Sequence, residues 1–224
     1  MSVVPDIVFL FDVDNTLLDN DRFQDDLREH LQNAHGDQAC ARYWAILEAL
    51  RGELGYVDYL VALERYRLEN THEPKVLRIA DWLLDYPFAD RLYPHAIEAV
   101  KHVGQWGPVV ILSDGDAVFQ PRKITRSGLW DAFEGNVLIY VHKENELDDV
   151  ARWRPAEHYV LIDDKPRILA AVKAAWGDRV TTVFPRQGHY ALDESALANS
   201  GSVDIAIDRI GELLRHSFAT RPKS

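Results

Sequence analysis

Near its amino terminus the chain reads FLFDVDNTLL, residues 9–18. Its apolar start belongs to the run Ile7–Phe11, which is short and nearly continuous, as is typical of a strand buried on both faces of a sheet. Asp12 and Asp14 follow directly. Because ligands bind beyond the carboxyl ends of strands in open α/β sheets, both carboxylates are predicted to face a crevice. One can serve as nucleophile or metal ligand, and the other can protonate a leaving group.

The simpler interpretation of Asp-x-Asp alone is a polar strand end with turn-forming Asp and Asn residues. The surrounding pattern decides between the two. Further runs rich in β-branched residues predict a sheet with these strands: Val109–Leu112, Val137–Val141, Tyr159–Ile162, Val180–Phe184 and a weaker Val203–Ile207. Helices are predicted between and after them, at Ala96–Val103, Arg167–Trp176 and Ile210–Phe218, before a frayed tail at Thr220–Ser224. This alternation predicts an α/β fold with a doubly wound, mostly parallel sheet.

The interval from about Asp19 to Tyr86 contains no convincing strand. It is predicted to hold four helices, near Arg22–Ala34, Ala39–Leu50, Val57–Leu68 and Val76–Leu84. A helical block between the first and second strands is an insertion into the α/β core. We therefore expect an α/β domain built from residues 1–18 and 87–224, with an all-helical domain at residues 19–86.

Composition and charge exclude several classes of protein. The chain has 25 basic and 36 acidic residues, a formal net charge of −11, which disfavours nucleic acid and anionic membrane surfaces as partners. The single cysteine, Cys40, excludes an internal disulfide and is compatible with a reducing cytoplasm. The run Ile7–Phe11 is too short for a membrane span or a signal peptide. We expect a cytoplasmic protein without nucleic-acid or membrane partners, and its oligomeric state is left open.

Polar residues also mark the ends of the second and third predicted strands. Ser113, followed by Asp114 and Gly115, can bond a phosphoryl oxygen together with a backbone amide, although a Ser-Asp-Gly turn is the plain alternative. Lys143 lies after the third strand, at the same edge of the predicted sheet, where its charge can neutralise an anionic group. Lys123, on the preceding helix, is a rival for this role, and a solvated surface lysine is the alternative for both.

The fourth predicted strand ends in the adjacent pair Asp163-Asp164. Neighbouring carboxylates repel each other unless a cation compensates them. Hard oxygen ligands in small number favour Mg²⁺, which keeps several of its waters and bridges to phosphate. Either aspartate can alternatively serve as the N-cap of a helix that begins at Pro166. The choice of the direct metal ligand between the two stays open.

These four motifs, in this order, resemble those of the haloacid dehalogenase-like (HAD) hydrolase superfamily, in its phosphatase branch with a helical cap inserted after the first motif. The resemblance implies a Rossmann-like core with residues 19–86 roofing the active site. It implies that Asp12 is the nucleophile and that Asp14 is the general acid and then the base. Ser113 and Lys143 complete the implied catalytic set. Many family members have Lys-Pro at the position where this chain has Lys143-Glu144.

The resemblance also implies two sets of binding residues. The phosphate-binding set is Asn15, Ser113, Asp114, Gly115 and Lys143. The metal set is Asp12, Asp14 through its backbone carbonyl, Asp163 and Asp164, with Mg²⁺ as the cofactor. The candidates for contacting the rest of the substrate are Arg22, Arg51, Tyr56 and Tyr59 of the predicted cap and the loop 184–190.

The expected function is Mg²⁺-dependent hydrolysis of a small phosphorylated metabolite through an aspartyl-phosphate. Asp14 argues against a dehalogenase, because halide displacement needs neither a proton donor nor a metal. A phosphomutase acting on a sugar phosphate is an alternative that shares every core residue. A non-catalytic phosphate-binding or regulatory protein is a second alternative. The sequence contains no Gly-x-Ser-x-Gly, Gly-x-x-x-x-Gly-Lys or His-Glu-x-x-His motif, which argues against covalent or metal enzymes of other folds.

Overall fold

A computed structural model describes residues 4–192 and 203–218 of the chain. Within these ranges six strands form one sheet, and every neighbouring pair is parallel. The strands are β1 (Ile7–Phe11), β2 (Val109–Asp114), β3 (Val137–Tyr140), β4 (His158–Ile162), β5 (Val180–Pro185) and β6 (Ile205–Ile207). Their order across the sheet is β3-β2-β1-β4-β5-β6. The predicted doubly wound parallel sheet is confirmed.

The α-helices of the described ranges cover the sheet and fill the interval between β1 and β2. In chain order they are α1 (Asn20–His35), α2 (Asp37–Leu54), α3 (Tyr59–Glu69), α4 (Leu77–Asp85), α5 (Ala96–Val103), α6 (Phe119–Arg126), α7 (Leu129–Ala132), α8 (Leu147–Trp153) and α9 (Pro166–Trp176). None of the helices in the described ranges is long and apolar enough to cross a membrane.

The central strand β1 is buried on both faces. Phe9 and Phe11 point into one apolar cluster, and Val8 and Leu10 point into another on the opposite side of the sheet. Successive side chains of a strand alternate between faces, so a strand covered on both sides must be apolar at every position. This is why Ile7–Phe11 shows no polar alternation.

The helices α1–α4, called the inserted helices below, occupy residues 20–85. Asp19 caps α1 by accepting a hydrogen bond from the backbone N–H of Arg22 at 2.9 Å. Aromatic side chains join these helices to the rest of the chain: the ring of Phe119 on α6 lies 5.8 Å from Phe23 and 5.1 Å from Tyr59. The division into domains at residues 18/19 and 86/87 stays a prediction.

The carboxyl-terminal part of the chain differs from the prediction. The predicted strand Val203–Ile207 is shorter, and the predicted amphipathic helix is a short 3₁₀ helix at Ile210–Arg215. Its buried side chains, Ile210 and Leu213, are three residues apart, which matches the three residues per turn of a 3₁₀ helix. The predicted frayed tail, Thr220–Ser224, lies outside the described residues.

Candidate active site

The carboxyl ends of the central strands meet where the strand order reverses. β1 lies between β2 and β4, and Phe11 of β1 is in register with Ile162 of β4. Asp12 and Asp163, the next residue on each strand, therefore lie side by side, and the backbone N–H of Asp12 donates to the carbonyl of Ile162 at 2.9 Å. This is the position at which open α/β sheets bind their ligands.

A tight loop follows β1. The carbonyl of Val13 accepts hydrogen bonds from the N–H groups of Thr16, Leu17 and Leu18, at 3.3, 2.9 and 3.0 Å. Within this loop Asn15 has a φ of 59°, in the left-handed region that Asn tolerates better than most residues. The loop therefore turns the chain sharply beneath Asp12 and Asp14.

The Asn15 side chain is occupied by the start of α1. Its Oδ1 accepts from the backbone N–H groups of Asn20 and Asp21 at 3.0 and 3.2 Å, and its Nδ2 donates to Asp21 Oδ1 at 2.9 Å. The side chain therefore links the loop after β1 to the first inserted helix. Asn15 also lines the cavity described below, and its phosphate-binding role stays a prediction.

Lys143 lies against the predicted nucleophile. Its Nζ is 2.5 Å from Asp12 Oδ1 and 2.7 Å from Asp163 Oδ2, and it donates to the carbonyl of Leu112 at 3.1 Å. Burial lowers the pKa of this lysine, but the charges of Asp12 and Asp163 outweigh burial and raise the pKa above its ordinary value. Lys143 is thus a fully buried ammonium ion between two carboxylates.

Lys123, the rival lysine, lies at Asp14 instead. Its Nζ is 2.6 Å from Asp14 Oδ1 and 3.0 Å from Asn20 Oδ1. The rings of Phe23, Phe88 and Phe119 lie between 5.5 and 5.8 Å from the ammonium group. Cation–π attraction compensates part of the cost of burying it. The two lysines therefore serve different carboxylates, and Lys143 is the one beside Asp12.

The residues at the end of β2 position the lysine and one another. Ser113 is buried, and its Oγ accepts from Gln120 Nε2 at 2.9 Å. Asp114 Oδ1 accepts from the backbone N–H of Lys143 at 2.8 Å, which fixes the turn that carries that lysine. A Cβ on Gly115 would lie 2.7 Å from Gln120 Cβ, so only glycine fits without a shift.

Three buried carboxylates converge beside Lys143. One oxygen from each of Asp12, Asp163 and Asp164 lies within 4.8 Å of the others. Asp163 accepts a hydrogen bond from the backbone N–H of Lys165 at 2.8 Å in addition to its pairing with Lys143. Both carboxylate oxygens of Asp164 are buried and have no hydrogen-bond partner in the part of the chain that the structure describes.

The electrostatics of these three carboxylates favour a bound cation. Burial raises the pKa of Asp163 to about 6 and raises that of Asp164 well above its ordinary range. The charges of Lys143 and Lys165 lower the pKa of both residues, but burial outweighs them, so Asp163 and Asp164 gain from further positive charge. A divalent cation with oxygen ligands fits this donor set. That the backbone carbonyl of Asp14 is a further metal ligand stays a prediction.

Three residues of this site, Thr16, Gln120 and Asn20, were not predicted from the sequence. The hydroxyl of Thr16 accepts from the N–H of Asp164 at 3.0 Å and donates to Asp12 Oδ2 at 3.4 Å, and it is the threonine of the Asp-x-Asp-x-Thr motif. Gln120 and Asn20 contact Ser113 and Lys123, respectively. No sequence pattern marks these two residues, because Gln120 reaches Ser113 across a turn and Asn20 reaches Lys123 from a distant part of the chain.

A cavity of about 130 Å³ opens between the carboxylates and the inserted helices. Of the predicted substrate-contacting residues, Arg51, Tyr56 and Tyr59 line it, as do His189 and Tyr190 of the loop after β5. Arg22 is not among the lining residues, and its guanidinium lies 3.2 Å from Asp26 on the same helix. The site therefore combines the predicted nucleophile and proton donor with a cluster of buried carboxylates and a small cavity.

A family model and a solved structure place the chain in the same family. A family model described as haloacid dehalogenase-like hydrolase matches residues 8–184. A crystal structure of a haloacid dehalogenase-like hydrolase from Burkholderia xenovorans LB400 is 59% identical to this chain, with a TM-score of 0.92, and the match covers 96% of this chain and 100% of that one. No curated protein is significantly similar to the chain in sequence.

More distant structures share the fold. An L-2-haloacid dehalogenase from Xanthobacter autotrophicus, with chloropropionic acid covalently bound, is 18% identical with a TM-score of 0.59, over 95% of this chain and 98% of that one. A beta-phosphoglucomutase from Thermotoga maritima is 17% identical with a TM-score of 0.59, over 93% and 96%. At this level of identity the likeness extends to the fold alone, so the reaction must be argued from the residues of the site.

Proposed function

The chain belongs to the haloacid dehalogenase-like hydrolase family, and from this premise we propose that it is a Mg²⁺-dependent phosphatase acting on a small phosphate monoester through an aspartyl-phosphate on Asp12. The observation that carries the proposal is the buried trio of carboxylates, in which both oxygens of Asp164 lack a partner among the described residues. Displacement of halide by a carboxylate requires no metal. Phosphoryl transfer between two anions does require added positive charge.

The metal would be held by Asp12 and Asp164, with the backbone carbonyl of Asp14 completing the protein ligands. We assign the direct contact to Asp164 rather than Asp163, because the oxygens of Asp163 already face Lys143 and the N–H of Lys165. Few protein ligands and an all-oxygen donor set favour Mg²⁺ over Ca²⁺. When bound, Mg²⁺ supplies positive charge to the phosphoryl oxygens and reduces their repulsion of Asp12.

In the first half of the reaction a carboxylate oxygen of Asp12 attacks phosphorus, and the bond from phosphorus to the alcohol oxygen breaks. Asp14 gives its proton to that oxygen, so the alcohol leaves neutral. Lys143 balances the charge on Asp12 and on the phosphoryl group. Ser113 and the backbone amides of the loop after β1 orient the phosphoryl oxygens.

In the second half a water oxygen attacks phosphorus, the bond from phosphorus to Asp12 breaks, and inorganic phosphate leaves. Asp14 takes a proton from the attacking water, which restores the starting state. Lys123 and Gln120 hold the Asp14 carboxylate, through contacts of 2.6 and 3.4 Å, in the conformation seen here. The contact with Lys123 pairs with the ionised form of Asp14, which is its state after it has given its proton to the alcohol.

We expect the purified protein to release p-nitrophenol from p-nitrophenyl phosphate with Mg²⁺ and to lose this activity in EDTA, with recovery when Mg²⁺ is restored. Chloride release from 2-chloropropionate, measured in parallel, is expected to be absent. Metal-independent chloride release without phosphate hydrolysis would identify a dehalogenase and overturn the proposal. Interconversion of hexose phosphates in the presence of a bisphosphate, without net phosphate release, would identify a phosphomutase.

The effect of Mg²⁺ on stability is expected to depend on pH. The pKa of Asp163 in the folded chain is about 6, above its ordinary 3.8, mainly because of burial. The stability that protonation gives the metal-free fold is therefore fully present below 3.8 and is lost as the pH rises through about 6. Because the cation binds the ionised carboxylates, we expect Mg²⁺ to raise Tm more at pH 7.5 than at pH 5.

Thermal unfolding with Mg²⁺ or EDTA between pH 5 and 8 checks this prediction. Asp163→Asn is the matched control, because it removes the titrating carboxyl while keeping its size. In this variant we expect the metal-free protein to lose less stability on going to high pH. An Mg²⁺ effect of equal size at both ends of the pH range would contradict the assignment of the cation to these carboxylates.

A further inference from the structure

The cavity above the carboxylates has two halves of different chemistry. The acidic residues that line it, among them Asp14 and Asp164, all come from outside the inserted helices. The inserted helices and the turn that joins α2 to α3 contribute Arg51 and neutral side chains such as Tyr59. The half that faces the leaving group of a bound phosphate ester therefore carries one cation and no carboxylate, whereas the other half carries the carboxylates together with Lys123, Lys165 and Arg167.

Two buried hydrogen-bond donors on the side of the inserted helices have no acceptor. The Nε of Arg51 and the hydroxyl of Tyr59 are both buried, and neither has an acceptor for its proton within the described residues. The outer end of the Arg51 guanidinium is used, since its Nη1 lies 3.6 Å from Glu48. A donor that is withdrawn from water without a partner is costly, so a ligand that supplies an acceptor to both is expected to be favoured.

The Tyr59 hydroxyl lies between the reacting end of the cavity and the arginine. Burial and then the charge of Asp14 raise the pKa of the Tyr59 phenol, whereas hydrogen bonding from the Asn20 side chain and then the charge of Arg51 lower it. The phenol is therefore within electrostatic reach of both Asp14 and Arg51, and it stays protonated and able to donate. Its ring is held by edge and tilted contacts with Phe23 and Phe119, at 5.3 and 5.1 Å.

The size of the cavity limits the leaving group. Its volume of about 130 Å³ must take the phosphoryl group as well as the alcohol. A cavity of ~150 Å³ holds one benzene molecule, so an alcohol part of a few carbon atoms matches the space that is available here. A planar carboxylate matches the fork of a guanidinium and is smaller than a second phosphate.

We propose that the substrate is the phosphate monoester of a short hydroxy acid, whose carboxylate is bound by Arg51 Nε and the Tyr59 hydroxyl. This inference rests on the proposed phosphatase function and adds the chemical class of the alcohol. The carboxylate accepts a hydrogen bond from each of these two donors. Its negative charge then lies on the side of the cavity that carries the arginine. The phosphoryl group then lies among Asp12, Ser113 and Lys143.

The test compares substrates that differ in the carboxylate alone. The first pair is 3-phosphoglycerate and glycerol 3-phosphate, and the second is 2-phosphoglycolate and ethyl phosphate. We expect kcat/KM to be at least about 10-fold higher for the acid in at least one pair. Arg51→Gln is expected to lower this acid-to-neutral ratio by about 10- to 100-fold, and Tyr59→Phe by about 3- to 10-fold. Arg65→Gln, an exposed arginine of α3 paired with Glu53, is the matched control and keeps the ratio.

The outcomes separate the inference from the function on which it rests. Mg²⁺-dependent hydrolysis of p-nitrophenyl phosphate with equal rates for acid and neutral partners would overturn the inference and leave the phosphatase proposal intact. A ratio that survives Arg51→Gln in a folded variant would also overturn it. Preference for fructose 1,6-bisphosphate over both acids, lost in Arg51→Gln, would assign the subsite to a second phosphate and overturn the carboxylate. Absence of any phosphatase activity would remove both proposals.

Discussion

Asp12→Asn is expected to lower kcat for p-nitrophenyl phosphate by about 10⁴-fold or more, because removing the nucleophile of a covalent mechanism removes the reaction path itself. Asparagine has nearly the size of aspartate, so the packing around this buried position is kept. Wild-type protein quenched with acid during turnover is expected to carry one covalent phosphate by mass spectrometry. The variant is expected to carry none.

The matched control for this experiment is Asp131→Asn, which makes the same change at an exposed position on α7. It is expected to keep wild-type activity and the phosphorylated intermediate. Activity of Asp12→Asn within about 10-fold of wild type would exclude Asp12 as the nucleophile. Phosphate found on another residue in the variant would lead to the same conclusion.

Lys143→Met is expected to damage both activity and stability. The lysine is completely buried between Asp12 and Asp163, and its removal leaves two buried carboxylates without their cation. Breaking a buried ion pair from one side costs about 3–5 kcal/mol of unfolding free energy. Loss of a charge that stabilises the transition state lowers kcat by about 10²- to 10³-fold. Urea unfolding and steady-state kinetics measure the two effects.

The loss of stability in Lys143→Met is expected to be smaller at pH 5 than at pH 8, because protonation neutralises the carboxylates that have lost their partner. Lys101→Met, at an exposed position of α5, is the control for the change of side chain. An unfolding free energy equal to that of wild type at pH 8 would show that the lysine does not balance these carboxylates. Unchanged kcat would remove it from the catalytic set.

The fold could be predicted because the strands are covered on both faces. A run such as Ile7–Phe11 is apolar at every position. This pattern can be recognised in the sequence even when the neighbouring strands are not known. Once strands are known to be parallel neighbours, their carboxyl ends must meet. The convergence of Asp12, Ser113 and Asp163 therefore follows from the order of the motifs.

The choice between lysines could not be predicted from the sequence. Lys123 and Lys143 both lie near strand ends, and which carboxylate each one reaches depends on the direction of its side chain. The same is true of Gln120, which contacts Ser113 across a turn, and of Asn20, whose partner is more distant in the chain. The hydrogen bonds from the start of α1 to Asn15 depend on a left-handed backbone conformation of Asn15, which the residue type permits but does not require.

The central position of β1 has a consequence for how the protein is made. Its hydrogen-bonded neighbours are β2 and β4, which begin at Val109 and His158. During synthesis this apolar strand therefore emerges from the ribosome long before either neighbour exists. Pairing across such separations is slow, because the intervening chain must be closed before the contacts form. The strand that precedes Asp12 is thus translated before both of its neighbours and is one of the last strands of the sheet to be covered on both edges.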